Sequence, residues 1–221
     1  MRWLMAVAAE SPAPATMDSL RVMFPNRLLE DVQLEDLRVA NTKIRASRLS
    51  VEKPYELLEC TGVEDLIAKV ATSAGARGPI ERLDVYDHGT AGGIAIAGDL
   101  LFASDDKPGW VTPLTGLAAA RALATSLAPR AEVRLLGCRT ALDQTGRMLM
   151  IKLRDVFGRD TQVQGTIDRV VAAHFEEDGS FSVHSEPSLL FSAEAAVDRV
   201  APDLKERKSN LSAISKPIMP E

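Results

Sequence analysis

From Thr61 to Ile167 the spacing of apolar residues alternates between the helical and the extended repeat, and this alternation restricts the fold more than any other feature of the chain. Val63, Leu66, Ile67 and Val70 recur at i, i+3, i+4 and i+7 behind Thr61-Gly-Val-Glu64, which has the spacing of a capping box, so a helix ending near Gly75 is predicted. Pro79–Asp87 places Leu83 and Val85 on one face of a strand that runs into His88-Gly89. Ile94–Ala97 follows a Gly-rich stretch as a short strand or hairpin arm, and Thr112-Pro113 are suited to start a helix with Leu117, Ala120, Ala124 and Leu127 on its inner face. Glu132–Leu136 is again a strand and leads into Gly137-Cys138. A helix is expected from Leu142 to Phe157 with Gly158 as its stop, then a strand from Thr161 to Ile167, then hairpin arms from Val170 to His184 around Asp178-Gly179.

Such alternation packs as a mainly parallel sheet with helices on both faces, an α/β three-layer sandwich. Residues 61–200 are expected to form this domain. Residues 1–60, broken by Ser11–Thr16, form an N-terminal segment in which Trp3–Ala8 would serve as a first strand or the whole would be regulatory. The polar tail 201–221 is expected to fray.

With 46% hydrophobic and 26% charged residues among 221, a packed core is expected. The net charge is -5, no basic cluster is denser than Lys205, Arg207 and Lys208, and only two Trp, two Tyr and six Phe are present; these speak against nucleic acid as a partner. Cys60 and Cys138 lie outside any CxxC or Cys/His cluster, so neither a disulfide framework nor a zinc site is expected, and the cytoplasm is the expected compartment. Met1–Glu10 is at the minimum length for a signal peptide, and no run approaches the ~18 apolar residues of a bilayer span. The absence of GxGxxG, GxxxxGK[ST] and GxSxG removes the usual warrants for dinucleotide binding, a P-loop and a serine hydrolase. His174 and His184 flank Glu176–Asp178, but acids at a turn are normally solvated, and no metal is assigned.

Working groups of an open parallel sheet gather beyond the carboxyl ends of its strands, where this sequence puts His88-Gly89 and Gly137-Cys138. A thiol becomes a strong nucleophile when a nearby base favours its thiolate, and His88 is placed to be that base for Cys138. Gly89 and Gly137 allow close backbone approach to a substrate, and the amides of Gly89 and Cys138 are candidates for an oxyanion hole. The alternative is that Cys138 packs as a small hydrophobe and His88-Gly89 is only a turn.

The stretch LDVYDHGTAGG followed by VRLLGCRTA resembles the caspase-like cysteine peptidases, the group that includes caspases, legumain, gingipains, separase and the bacterial CHAT domains. In that group one hydrophobic strand ends in His-Gly and a later one ends at the nucleophilic Cys. Cys138-Arg139-Thr140, Gly146 and the VQGTID strand look most like CHAT domains and related bacterial modules. The resemblance implies a cysteine endopeptidase with His88 as base or proton shuttle and Cys138 as thiolate, with Gly89 and Cys138 as oxyanion donors and a thioester intermediate. It also places substrate specificity around Gly165–Arg169, where Asp168 would hold a basic P1 side chain and Arg169 would neutralise it or favour an acidic one, with Gly137 in the substrate's path. Neither a QAC-type pentapeptide nor an obvious cleavable linker is present, so aspartate specificity has no support. A protein or peptide substrate, a regulatory protein partner for a latent enzyme, and no organic cofactor are expected. Two alternatives stand beside this: a catalytically silent caspase-like binding module, and a small-molecule α/β hydrolase or transferase using Cys138.

Overall fold

A computed structural model describes residues 1–9 and 55–193; the Ser11–Thr16 break and the tail from 201 lie outside them. In chain order the elements are β1 (Trp3–Ala8), β2 (Glu56–Cys60), α1 (Val63–Arg77), β3 (Ile80–Tyr86), β4 (Gly89–Thr90), β5 (Gly93–Ile96), β6 (Asp99–Ala103), α2 (Leu117–Ala124), β7 (Leu127–Leu135), α3 (Asp143–Phe157), β8 (Gln162–Thr166), a 3-10 turn (Ala172–His174), α4 (Glu186–Leu189) and β9 (Leu190–Ser192). The main sheet has the order β2-β1-β3-β7-β8-β9, parallel throughout except that β9 runs antiparallel to β8. A second sheet, β4-β5-β6, is antiparallel. The molecule is thus a mixed α/β sandwich.

Trp3–Ala8, the expected candidate for a first strand, lies inside the sheet between β2 and β3, and every one of its residues is buried. A strand buried on both faces needs apolar side chains at both parities, which WLMAVA supplies. From β2 the chain crosses over β1 through α1 to reach β3. The strand order therefore changes direction beside β1, and His88 follows β3 at the carboxyl end next to that switch point.

One face of the sheet carries Leu4, Leu58, Leu83, Val133 and Val163 and packs against Leu66 and Val70 of α1, Ala120 and Leu123 of α2, and Leu149 and Leu153 of α3. Ile94, Ile96 and Phe102 of the small sheet join the same cluster. The other face carries Trp3, Met5, Val7, Tyr86 and Leu136, covered by Val170, Phe175, Phe181 and Leu189. This corrects the expectation of helices on both faces: among the described residues the three long helices share one face, and the irregular segment 170–190 covers the other. The expected hairpin from Val170 to His184 is likewise a turn held by the single bridge Phe175–Phe181, with Gly179 at φ 80. The reason is local, since a 3-10 turn precedes the bridge and the short helix α4 follows it, leaving no room for two arms.

Charged side chains tie this cover to the sheet. Arg134, fully buried, donates from Nε to Asp84 (2.7 Å) and also pairs through its two terminal nitrogens with Asp84 and Glu186. Arg82 joins through Glu186 (3.4 Å) and Glu132 (3.5 Å) and lies over the Trp3 ring at 4.1 Å. Burial raises the pKa of the Asp84 carboxyl, while the guanidinium of Arg82 and Trp3 Nε1, which donates at 3.0 Å, favour its ionised form.

Two helix starts differ from expectation. Thr61 caps nothing directly: its N–H and hydroxyl donate to Asp65 (2.9 and 3.3 Å), and α1 begins at Val63. The helix predicted from Thr112-Pro113 begins only at Leu117, because Thr115 exchanges backbone hydrogen bonds with Ala103 and holds the preceding loop extended against β6. No helix among the described residues is long and apolar enough to cross a membrane.

Candidate active site

β3 and β7 are adjacent parallel strands in the register Val85↔Leu135, and Leu136 N–H donates to Val85 C=O at 2.8 Å. Continued past the strand ends, that register sets His88 opposite Cys138. Both lie two residues beyond Tyr86 and Leu136, which share the face opposite the helices.

Glycine at 89 and 137 makes the approach possible. A Cβ on Gly89 would lie 2.5 Å from the Gly137 carbonyl carbon and 2.7 Å from the Cys138 nitrogen; one on Gly137 would lie 2.8 Å from Gly89 Cα and 3.0 Å from the Asp87 oxygen. These are backbone atoms and cannot swing aside, so any side chain would force the two strand ends apart. The Gly89 and Cys138 amides, expected as oxyanion donors, belong to this one contact.

The histidine is held from its own main chain. Asp87, almost fully buried, accepts hydrogen bonds from His88 N–H (2.6 Å) and Ala97 N–H (2.5 Å), so one carboxylate ties both ends of the 88–97 excursion that contains β4 and β5. Burial pushes the Asp87 carboxyl up, and His88 beside it pulls it down. The reciprocal holds for His88, which burial pushes below the ordinary histidine value while Asp87 pulls it up. Neutral imidazole is the form suited to a base. His88 is 6% exposed, and its Nε2 has no hydrogen-bond partner among the described residues.

The turn that carries Cys138 is fixed by two threonines. Thr140 Oγ1 donates to Leu135 C=O (2.9 Å) and accepts from Thr166 N–H (2.9 Å), while the Thr166 hydroxyl donates to Gly137 C=O. Arg139 then takes a left-handed conformation (φ 60), with its N–H donating to Asp168 C=O at 3.0 Å. Gly146 lets the first turn of α3 press on this loop, since a Cβ there would lie 2.5 Å from the Ala141 carbonyl carbon. From the other side Gly92 N–H donates to Thr140 C=O at 3.2 Å, so the tip between β4 and β5 rests on the same turn.

Cys138 is half-buried and in no disulfide. Its Sγ faces Val170, accepting from the N–H at 3.4 Å and donating to the C=O at 3.8 Å. The structure therefore brings the His88 and Cys138 strand ends together, but His88 Nε2 makes no hydrogen bond to the thiol.

Asp168 and Arg169 follow β8 on the same edge. Asp168 is exposed, accepts from Arg169 N–H (2.7 Å) and approaches Arg139 Nε at 3.9 Å. His174 Nδ1 accepts from Val171 N–H, and no group of three metal-ligating side chains occurs among the described residues. Asp87, Thr166 and Val170 also shape the site, beyond the residues that the sequence motifs mark. Asp87 had a visible signal, a carboxylate directly before a strand-end histidine, whereas Val170 acts through its backbone and carries none.

Comparison with protein-family models, with curated proteins and with solved structures finds no match.

Proposed function

We propose that the chain is a cysteine endopeptidase of caspase-like α/β fold, with Cys138 as nucleophile and His88 as proton carrier. The observation that supports this reading is the glycine contact at the ends of β3 and β7, which brings the backbone segments bearing His88 and Cys138 together at the carboxyl edge of a parallel sheet. His88 takes the thiol proton, and the thiolate attacks the peptide carbonyl carbon. The resulting oxyanion accepts from the Gly89 and Cys138 amides. The imidazolium then protonates the leaving amine, and water, deprotonated by His88, cleaves the thioester and returns the free thiol. Asp168 meets a basic P1 side chain from an exposed position beside the thiol turn, in competition with Arg139 and Arg169. The reducing cytoplasm suits such a thiol, and a protein partner is the expected route to activation.

A second reading, a catalytically silent module of the same fold, is favoured by Sγ facing Val170 while His88 Nε2 has no hydrogen-bond partner among the described residues. A fluorogenic peptide library tests both. The peptidase hydrolyses some member, loses all turnover in Cys138→Ala, and loses on the order of a hundredfold or more in His88→Ala. No hydrolysis, together with equal Cys138 alkylation rates in wild type and His88→Ala, would overturn the peptidase and leave the silent module.

A further inference from the structure

Cys138 Sγ accepts from the backbone N–H of Val170 at 3.4 Å and faces its C=O at 3.8 Å, and the turn bearing Val170 is held by a side chain that the dyad does not include. Val171 N–H donates to His174 Nδ1 at 3.1 Å, and His174 N–H returns a bond to Val171 C=O at 2.9 Å. The far side of the residue is fixed by Ser182 N–H, which donates to His174 C=O at 2.8 Å. Val170 itself is anchored by its side chain, buried beside Tyr86, Leu136 and Phe175. At the other end of the turn Asp168 C=O accepts from Arg139 N–H, so residues 168–171 are clamped between the residue after the nucleophile and an imidazole.

We propose that His174 is a positioning residue for the Cys138 thiolate: its neutral imidazole accepts from Val171 and so keeps the Val170 N–H aimed at Sγ. The proposal rests on the cysteine-nucleophile reading and adds an acid-sensitive support to it. An N–H directed at sulfur favours the anion over the thiol, as any donor to a charged form does. The acceptor on His174 is a ring lone pair, which exists only on the neutral ring. Protonation converts it into a second N–H facing the Val171 N–H, and the turn must open.

The charged group that bears on this ring is Asp168, which favours the imidazolium, while burial, the larger influence, opposes it and holds His174 below the ordinary histidine value. Phe181, across the turn with its ring 6.3 Å away, is uncharged, and Ser182 beside it is neutral; Arg134 lies over the Phe181 ring at 5.6 Å. Glu176 and Glu177, further along the turn, are exposed to solvent. The support is therefore in place at neutral pH and is lost as pH falls through the lowered His174 value.

The test is the rate of iodoacetamide alkylation of Cys138, followed by peptide mass mapping from pH 5 to 9, in wild type, His174→Ala and His174→Asn. Asn sets a carbonyl oxygen close to the position of Nδ1 and does not titrate. His174→Ala is expected to react about tenfold more slowly at pH 7. His174→Asn should restore most of that loss and show a shallower fall below pH 6.5 than wild type. Equal rates in folded wild type and His174→Ala, or equal slowness in Ala and Asn, would overturn the proposal. If His174→Ala does not fold, the acid slope of His174→Asn against wild type decides alone, and identical slopes overturn it. Alkylation needs no substrate, so a chain that cleaves no peptide can still show the His174 effect, and an active peptidase can still lack it.

Discussion

On the face that carries α1, α2 and α3 the main sheet contributes Leu4, Leu58, Leu83 and Val133, whereas on the other it contributes Trp3, Arg82, Asp84 and Arg134. The first face packs against regular helices, whose backbones satisfy themselves, and needs only matched apolar volume. The second is covered by a segment with little regular backbone, held by two aromatic residues and by Glu186 reaching Arg134 and Arg82. Apolar contact is non-directional, but a buried ion pair has one good geometry and costs stability when half of it is removed. The segment that needs fixing in direction is the one that carries Val170 to the thiol, and it lies on the face where directional bonds are made.

Truncating one buried residue on each face separates the two kinds of packing. Arg134→Ala removes the closer of the two guanidinium groups on buried Asp84, leaving it to Arg82 at 3.3 Å, and strips Glu186 of a partner, so it is expected to cost about 3 kcal/mol by urea unfolding. It should also slow Cys138 alkylation, because Glu186 releases the cover. Leu149→Ala, buried among α3 and the sheet, is expected to cost about 2–5 kcal/mol and to leave the alkylation profile in place. Equal effects of the two on Cys138 would remove the distinction between the faces.

Gly137→Ala comes next. The added methyl collides with Gly89 and Asp87 backbone, and a displacement of about 1 Å between the strand ends is expected to cut peptide turnover on the order of a hundredfold. Full turnover in a folded Gly137→Ala protein would show that the close approach is not needed.

The smallest effect belongs to the helical face. Burial pushes the Cys60 thiol up from 9.0 to about 12. Below pH 9 the thiol is protonated in folded and unfolded chains alike, so its contribution is intact. As pH rises from 9 towards 12 the unfolded thiol ionises first, and stability falls. Cys60→Ala should flatten that alkaline decline in thermal melts, and an unchanged slope would mean that Cys60 is wetter than its burial indicates.

How legible the molecule was from sequence follows the same division. The strands β3, β7 and β8 and the helices α1 and α3 were visible because their apolar repeats point to one dry face. The strand ends were visible because His88-Gly89 and Gly137-Cys138 interrupt those repeats with residues of recognisable chemistry. The segment 170–190 departs from the hairpin expectation because Asp178-Gly179 is a true turn signal that says nothing about what flanks it, and the charges that hold it come from β3, β7 and α4, far apart in the chain. Val170 and the delayed start of α2 depend on backbone hydrogen bonds to distant residues, which leave no mark on side-chain pattern.

The excursion from His88 to Ala97 has a mechanical consequence. It touches the thiol-bearing turn at two points, Gly89 on Gly137 and Gly92 on Thr140, and is tied at its base by one carboxylate. With β5 paired to β6 and Ile94 and Ile96 buried in the helix-side core, the histidine arm is a brace and not a hinged flap. A displacement at the tip near Gly92 is therefore passed through Thr140 to the turn that carries the thiol, so that the two strand ends shift together rather than apart.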